Sequence, residues 1–345
     1  MADFDVVTTA AARHPTRGGR RLMEAAALLL RSGPLIILCV LVLVLSFLSP
    51  VFFSVRNFQN VGSATAFIAI IAAGEFVVIL VRGLDLSVGA VVALAPVVGI
   101  LVAGPDNWPL MVAVAIAVGV LVGVANGVIV VKGRIANPII VTVATLGAFR
   151  GLALLLSNGE VKVGVPPAIR WLGGGFLGPV PVPAVVAALI AIVLYIATRR
   201  TLWGRWLYAV GGNPEGARRV GISTDRTTIS AFAVCAALAA ISGFVVAGRT
   251  NAIDPTSGTL SELDAITAVV IGGASLSGGR GSVVNVMIGA LILGVIRNGL
   301  NLLAVSSFYQ LIVIGILVLV ALEIDVLRRI VDERIRVRHA GEGEA

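Results

Sequence analysis

Ten apolar runs follow one another along most of this chain, and they constrain its fold more than any other feature. They are Pro34–Ser49, Val61–Val81, Ser87–Ala103, Pro109–Val131, Asn137–Leu156, Val180–Thr198, Thr227–Gly248, Leu263–Leu276, Ser282–Ala304 and Phe308–Glu323. A helix that crosses a bilayer needs about 20 mostly apolar residues. The first, third, eighth and tenth runs are short or poorly bounded, so eight to ten crossings are expected. Backbone in hydrocarbon must satisfy its own hydrogen bonds. The expected fold is therefore all-α: a polytopic membrane protein of about ten transmembrane helices with Gly-rich breaks. Of the 345 residues, 58% are hydrophobic and only 13% charged, which leaves no soluble domain to place.

Lys and Arg set the expected orientation, because they accumulate on the cytoplasmic side. With the N-terminus inside, twenty of the 26 basic residues fall on inside segments and four (Arg56, Lys162, Arg170, Arg249) outside. Both termini are then cytoplasmic; the resemblance set out below implies a bacterial inner membrane. The net charge of +8 follows from topology, and no nucleic-acid partner is called for. Residues 1–31 read as a cytoplasmic tail, 32–325 as the membrane domain with a cytoplasmic loop at 199–226, and 326–345 as a second tail. Arginines ahead of the first run, with no small-residue cleavage site after it, suit a retained anchor better than a secretory signal.

Cys39 and Cys235 lie in apolar runs, and His14 and His339 in the tails. That pattern argues against a disulfide framework, a buried zinc site or a histidine-based triad. No cofactor is expected. The stretch LSGGR at 276–280 looks like an ATPase signature, but the chain has no G-x-x-x-x-G-K-[ST] phosphate loop. Two hydrophilic interruptions, RGLDLSVG (82–89) and GGASLSGGRGS (272–282), sit at membrane depth and share the pattern G-x-x-L-S-x-G, a weak trace of duplication. Transporters place broken helices at corresponding positions of two halves.

Intramembrane ionisable groups are expensive and mark function or structural pairing. Glu75 and Arg150 are the deepest, with Asp85 and Ser87 at the first break. Asn126 and Asn298 add amides suited to sugar hydroxyls or to helix-to-helix bonds. These six are the candidates for a translocation path, and substrate contact and structural pairing stand as equal readings. The stretch GGNPEGARRVGIS (211–223) reads as a short cytoplasmic helix. Asn213 caps it, Pro214 suits the first position, Glu215 and Arg218–Arg219 complement its dipole, and Gly221 stops it. At about 10 Å it is marginal alone.

RGLDLSVGA, GRIANPIIVTVATLGAFRGLALLLSNGE, GGNPEGARRVGIS and AVVIGGASLSGGRGSVVNVMIGALILGVIRNGLNLL together resemble one family in order and spacing, from about Asn57 to Asp325. It is the ribose/xylose/arabinose-type permease subunit of bacterial ABC importers. The resemblance implies a second permease subunit, cytoplasmic ABC ATPase subunits and an extracytoplasmic sugar-binding protein, all working in membrane lipid. It implies that the chain hydrolyses no ATP itself. Its cytoplasmic segment G-N-x-x-A-A-R-x-x-G-I matches 212–222, with Gly216 in place of the first Ala. That segment is similar to a coupling helix docked on the ATPase, with Ala217, Val220 and Ile222 as apolar contacts and Arg218 and Arg219 as polar ones. One departure is Arg82, which replaces the first Gly of the family's G-G-I-D-L-S-V-G. If that Gly serves close backbone approach, Arg82 is expected to point away from the contact. An ion-coupled carrier and a membrane-embedded enzyme are the rival classes. Nucleosides, furanoses or inositols are alternative cargo.

Overall fold

The computed structural model describes residues 17–133, 135, 137–320 and 322–323, with side chains from residue 33 onward. The two histidines, Arg134 and the expected C-terminal tail lie outside the described residues. The helices are α1 (Arg17–Leu48), α2 (Val55–Leu80), α3 (Val88–Ala103), α4 (Trp108–Lys132), α5 (Pro138–Ser157), α6 (Pro167–Gly174), α7 (Val182–Arg200), α8 (Leu202–Gly212), α9 (Pro214–Arg219), α10 (Thr224–Thr250), α11 (Ser261–Ile271) and α12 (Val283–Leu302). A further helix, α13, spans Ser307–Val320. Strand β1 (Lys162–Val163) pairs antiparallel with β4 (Ala252–Ile253), and β2 (Phe176–Leu177) with β3 (Val180–Pro181). Helix α1 starts at Arg17, well inside the expected N-terminal tail.

Local chemistry sets many of the boundaries. Ser54, Asn107 and Asn137 each accept a backbone N–H of the helix they precede, as N-cap residues do. Asn158 and Asn251 end α5 and α10 in the left-handed conformation that Asn tolerates. Pro falls in the first turn of α4, α5, α6, α7 and α9, where its missing N–H is harmless.

Among the described residues, α2, α4, α5, α7, α10 and α12 are long and apolar enough to cross a membrane. Three apolar helices are shorter: Gly33–Leu48 within α1, then α3 and α13. The expected span Leu263–Leu276 is helical only to Ile271, and α11 is about 16 Å long. The reason is burial. Helices α3 and α11 are enclosed by protein, where broken backbone finds partners and a lipid-matched length is not required.

The core forms around α2, which is buried without interruption from Ile68 to Val81. Hydrophobic transfer does not drive helices together in lipid, so close packing must. Gly119, Gly123 and Gly127 line one face of α4, four residues apart, against the α10 backbone. A Cβ at these positions would lie 2.6 Å from Ala236 O, 2.3 Å from Phe232 O and 2.8 Å from Ile229 Cα. Gly243 of α10 accepts α3 in the same way, 2.3 Å from Val92 O. Helices α2, α3, α4 and α10 thus form one tightly seated group. Residues such as Leu121, Ile140, Leu155 and Val193 point outward as an apolar exterior.

Candidate functional site

Three sites emerge. The first fixes the break between α2 and α3. Glu75 lies five residues before the end of α2 and accepts the Asp85 N–H at Oε1 (2.9 Å), while Cys235 Sγ donates to its Oε2 (3.6 Å). Asp85 Oδ1 accepts the Ser87 N–H (3.0 Å) and hydroxyl (2.6 Å). Asn126 Nδ2, on α4, donates to Ser87 Oγ (2.8 Å) and Asp85 Oδ1 (3.4 Å). All five residues are fully buried. Four of the six expected path residues (Glu75, Asp85, Ser87 and Asn126) therefore meet in one place, as a network that holds a non-helical segment. Asp85 Oδ2 and Asn126 Oδ1 have no partner among the described residues, so the network retains acceptor capacity.

The other two path candidates lie apart. Arg150 donates to three backbone carbonyls: Pro255 (2.9 Å), Ser257 (2.8 Å) and Gly89 (2.8 Å). It straps the loop before α11 to the start of α3. Asn298 exchanges two hydrogen bonds with Asn57, at 3.1 and 2.7 Å.

That amide pair borders the second site, a cavity of about 760 Å³ at the end of the molecule opposite α9. Its polar lining comes from Asn57, Asn60, Arg249, Arg297, Asn298, Asn301, Ser307 and Gln310. Arg297 Nη2 donates to Asp264 Oδ1 at 2.6 Å, which keeps a guanidinium beside the cavity without an isolated charge. Carboxamides and guanidinium groups in a cavity with room for a sugar are the donors and acceptors that hydroxyls match. Apart from Asn298, none of the lining residues is among the expected path candidates. They fall near helix ends, where polar residues look merely interfacial.

The third site is α9. Asn213 Oδ1 accepts the Gly216 N–H at 2.9 Å, so Asn213 caps the helix as its sequence implies. At the other end Gly221 is left-handed (φ 83°), with Gly221 N–H bonded to Arg218 O and Ile222 N–H to Ala217 O. These bonds form a Schellman stop. Arg218 Nε donates to Thr224 Oγ1 at 2.8 Å, and Asp225 lies 3.7 Å from its guanidinium. Two expectations are corrected here. Ala217 is 4% exposed and packs into the chain's own core, and Ile222 packs against that core as well. The helix therefore has support of its own, and its outward face is Glu215, Arg218, Arg219 and Val220, the last 75% exposed.

The base of α9 meets both breaks. A Cβ on Gly211 would lie 1.7 Å from Leu80 O and 2.4 Å from Gly279 N, and one on Gly279 2.6 Å from Gly212 N. Gly279 N–H donates to Leu80 O at 2.9 Å. Tyr208, on α8, donates its hydroxyl to Gly281 O at 3.0 Å, and burial pushes the phenol above its usual pKa. Arg82 corrects a further expectation. Its side chain points into this junction, with Nε on Gly211 O (2.6 Å) and Nη2 on Gly212 O (2.8 Å).

A helical core of broken spans, an open cavity edged by amides and guanidinium groups at one end and a capped helix joined to both breaks at the other are the features of a multi-pass membrane permease. The chain belongs to the family described as the branched-chain amino acid transport system / permease component, whose model matches residues 57–322. It is 40% identical to the ribose import permease protein RbsC of Escherichia coli (strain K12) over 315 residues, covering 90% of this chain and 98% of that protein. It is 40% identical to RbsC of Bacillus subtilis (strain 168), covering 85% of this chain and 92% of that protein. It is 34% identical to the D-allose transport system permease protein AlsC of Escherichia coli (strain K12), covering 85% and 90%. No solved structure gives a match.

Proposed function

We propose that this chain is the permease subunit of an ATP-driven importer and forms the path for a monosaccharide delivered by an extracytoplasmic binding protein. The names of its relatives, ribose and D-allose permeases, support the cargo class. A cavity of about 760 Å³ lined by amides and guanidinium groups supports it chemically. The observation that carries the reading is α9, whose exposed face stands on a base bonded to both breaks.

In this reading both termini and the 199–226 loop are cytoplasmic, and the cavity opens outside. ATP hydrolysis belongs to a partner subunit that seats on Glu215, Arg219 and Val220. Its closure pushes α9, the junction passes the displacement to the two breaks, and the path switches from outward to inward access. Two copies of the chain form the membrane assembly. Transport needs only weak substrate contacts, because the binding protein supplies affinity.

The decisive experiment places Glu at Val220, which is exposed in the free chain and covered in the complex. Burying an unpaired charge costs a few kcal/mol, so co-purification of the ATPase should weaken about a hundredfold. Insertion and melting of the permease should be unchanged. Normal ATPase binding by the V220E chain would remove α9 from the interface. Gradient-driven sugar uptake by vesicles holding this chain alone would replace the importer reading with an ion-coupled carrier.

A further inference from the structure

We infer that Arg82 is a positioning residue for coupling: it ties the first break to the base of α9, so that movement of one is delivered to the other. The inference rests on the importer reading only for what drives the movement.

The backbone supplies the first observation. Arg82 adopts φ 65°, one of five left-handed non-Gly residues among those described, and two of the others are Asn. A side chain with a Cβ pays a steric penalty in that region, and such strain persists only where the surroundings enforce it. Here the left-handed turn ends α2 and aims the Arg82 side chain across the junction toward α8.

The guanidinium supplies the second. Its two bonds end on consecutive carbonyls, Gly211 O at 2.6 Å and Gly212 O at 2.8 Å. These are the last residues of α8, where carbonyls lack helical partners and the dipole attracts a cation. Asn213, the cap of α9, follows at once. The planar fork reaches two neighbouring acceptors, which an ammonium would do less well. Arg82 therefore grips the one point of the chain through which α9 is attached to α8.

The third observation is that the surroundings make room for this side chain. A Cβ on Gly278, in the second break, would lie 2.5 Å from Arg82 Cγ. The second break thus accommodates the stem of the residue that ties the first break to α8. Downstream, only Gly83 and Leu84 separate Arg82 from Asp85, whose N–H and carboxylate are held by the buried Glu75 network. A pull on the Gly211–Gly212 carbonyls is delivered to a segment three residues from that network, with one short stretch of backbone between.

Arg82→Gly is the informative variant, because Gly adopts the same φ without strain, so the turn is kept while the side chain and its two hydrogen bonds are lost. In the purified permease alone, amide exchange over 209–222 should rise roughly tenfold, as an anchoring charged bond is lost. In the full complex, basal ATP hydrolysis and ATPase co-purification should be retained. Stimulation by sugar-loaded binding protein should fall about fivefold or more. Arg82→Lys should restore part of both. Unchanged exchange over 209–222 in the R82G permease would overturn the tie. Wild-type stimulation in a complex that contains R82G would overturn its role in coupling. If the wild-type complex shows no stimulation while exchange responds to R82G, the importer reading fails and the tie stands.

Discussion

The two breaks carry the same pattern and hold their shape by different means. In the first, Ser87 is fully buried and bonded to Asp85 and Asn126, and Gly89 lies inside α3. In the second, the matching Ser277 is exposed and the matching Gly279 is left-handed at φ 70°. Gly83 has no positive φ, whereas its counterpart Gly273 sits at 81°. The first break is fixed by a side-chain network that no glycine could supply. The second is fixed by backbone conformation, through Gly273, Gly278, Gly279 and Gly281. The shared G-x-x-L-S-x-G is therefore not matched by a shared local structure. What the breaks do share is a destination, since both converge on Gly211 and Gly212.

The largest effect should come from filling that common point. Gly211→Val would drive a side chain into Leu80 O, 1.7 Å from an ideal Cβ, and into Gly279 N. No rotamer relieves a Cβ clash with backbone, so about 3 kcal/mol is lost. The expected readout is loss of monodisperse protein in detergent. A G211V permease that melts like wild type would break the claim of one shared junction.

Next in size are substitutions that separate the two means of support. Asp85→Ala leaves the buried Ser87 N–H and hydroxyl without their acceptor, while Asn126 keeps its bond to Ser87 Oγ, and should cost about 2 kcal/mol. Gly273→Ala in the second break should cost 1–2 kcal/mol, roughly, through backbone strain at φ 81°. Asn, which tolerates the left-handed region, should rescue position 273 in part, while Asn at 85 restores one acceptor and fails to replace the carboxylate. Apparent melting temperatures of the four variants test the comparison, and equal rescue by Asn at both positions would erase it.

The smallest effect sharpens the contact between the breaks. Gly278→Ala meets the Arg82 stem at 2.5 Å, so part of its cost should vanish when Arg82 is Gly. The residual strain at φ 82° and the nearby Leu80 O remain. The double-mutant cycle should therefore give an interaction energy of about 1 kcal/mol. Additive costs would show that the two breaks move independently at this position.

The path candidates show how far residue type alone leads. Glu75 and Asn126 were legible as costly polar groups in apolar runs, Asp85 and Ser87 as polar groups at a break, and the four do meet. Their joint role as a clamp on backbone was not legible, because the Asp85 N–H that Glu75 accepts lies across a break whose course the sequence does not give. Asn298 was legible as a polar group, whereas its partner Asn57 lies 241 residues away.

By itself the sequence determined several local features: where the two breaks fall, the cap of α9 and its Gly221 stop. Each depends on dihedral preference or on a hydrogen bond spanning a few residues, and both are written into neighbouring positions. It also determined the small-residue face at Gly119, Gly123 and Gly127, since a four-residue repeat places them on one side of α4. Tertiary structure alone decided which way the junction faces. Ala217 turns inward because α9 packs on its own chain, leaving Val220 outside. Arg82 turns toward α8 because carbonyls some 130 residues further on lie within its reach and Gly278 leaves space for its stem. A repeated motif took two shapes for the same reason: its side chains and backbone settle against whatever the packed helices bring beside them.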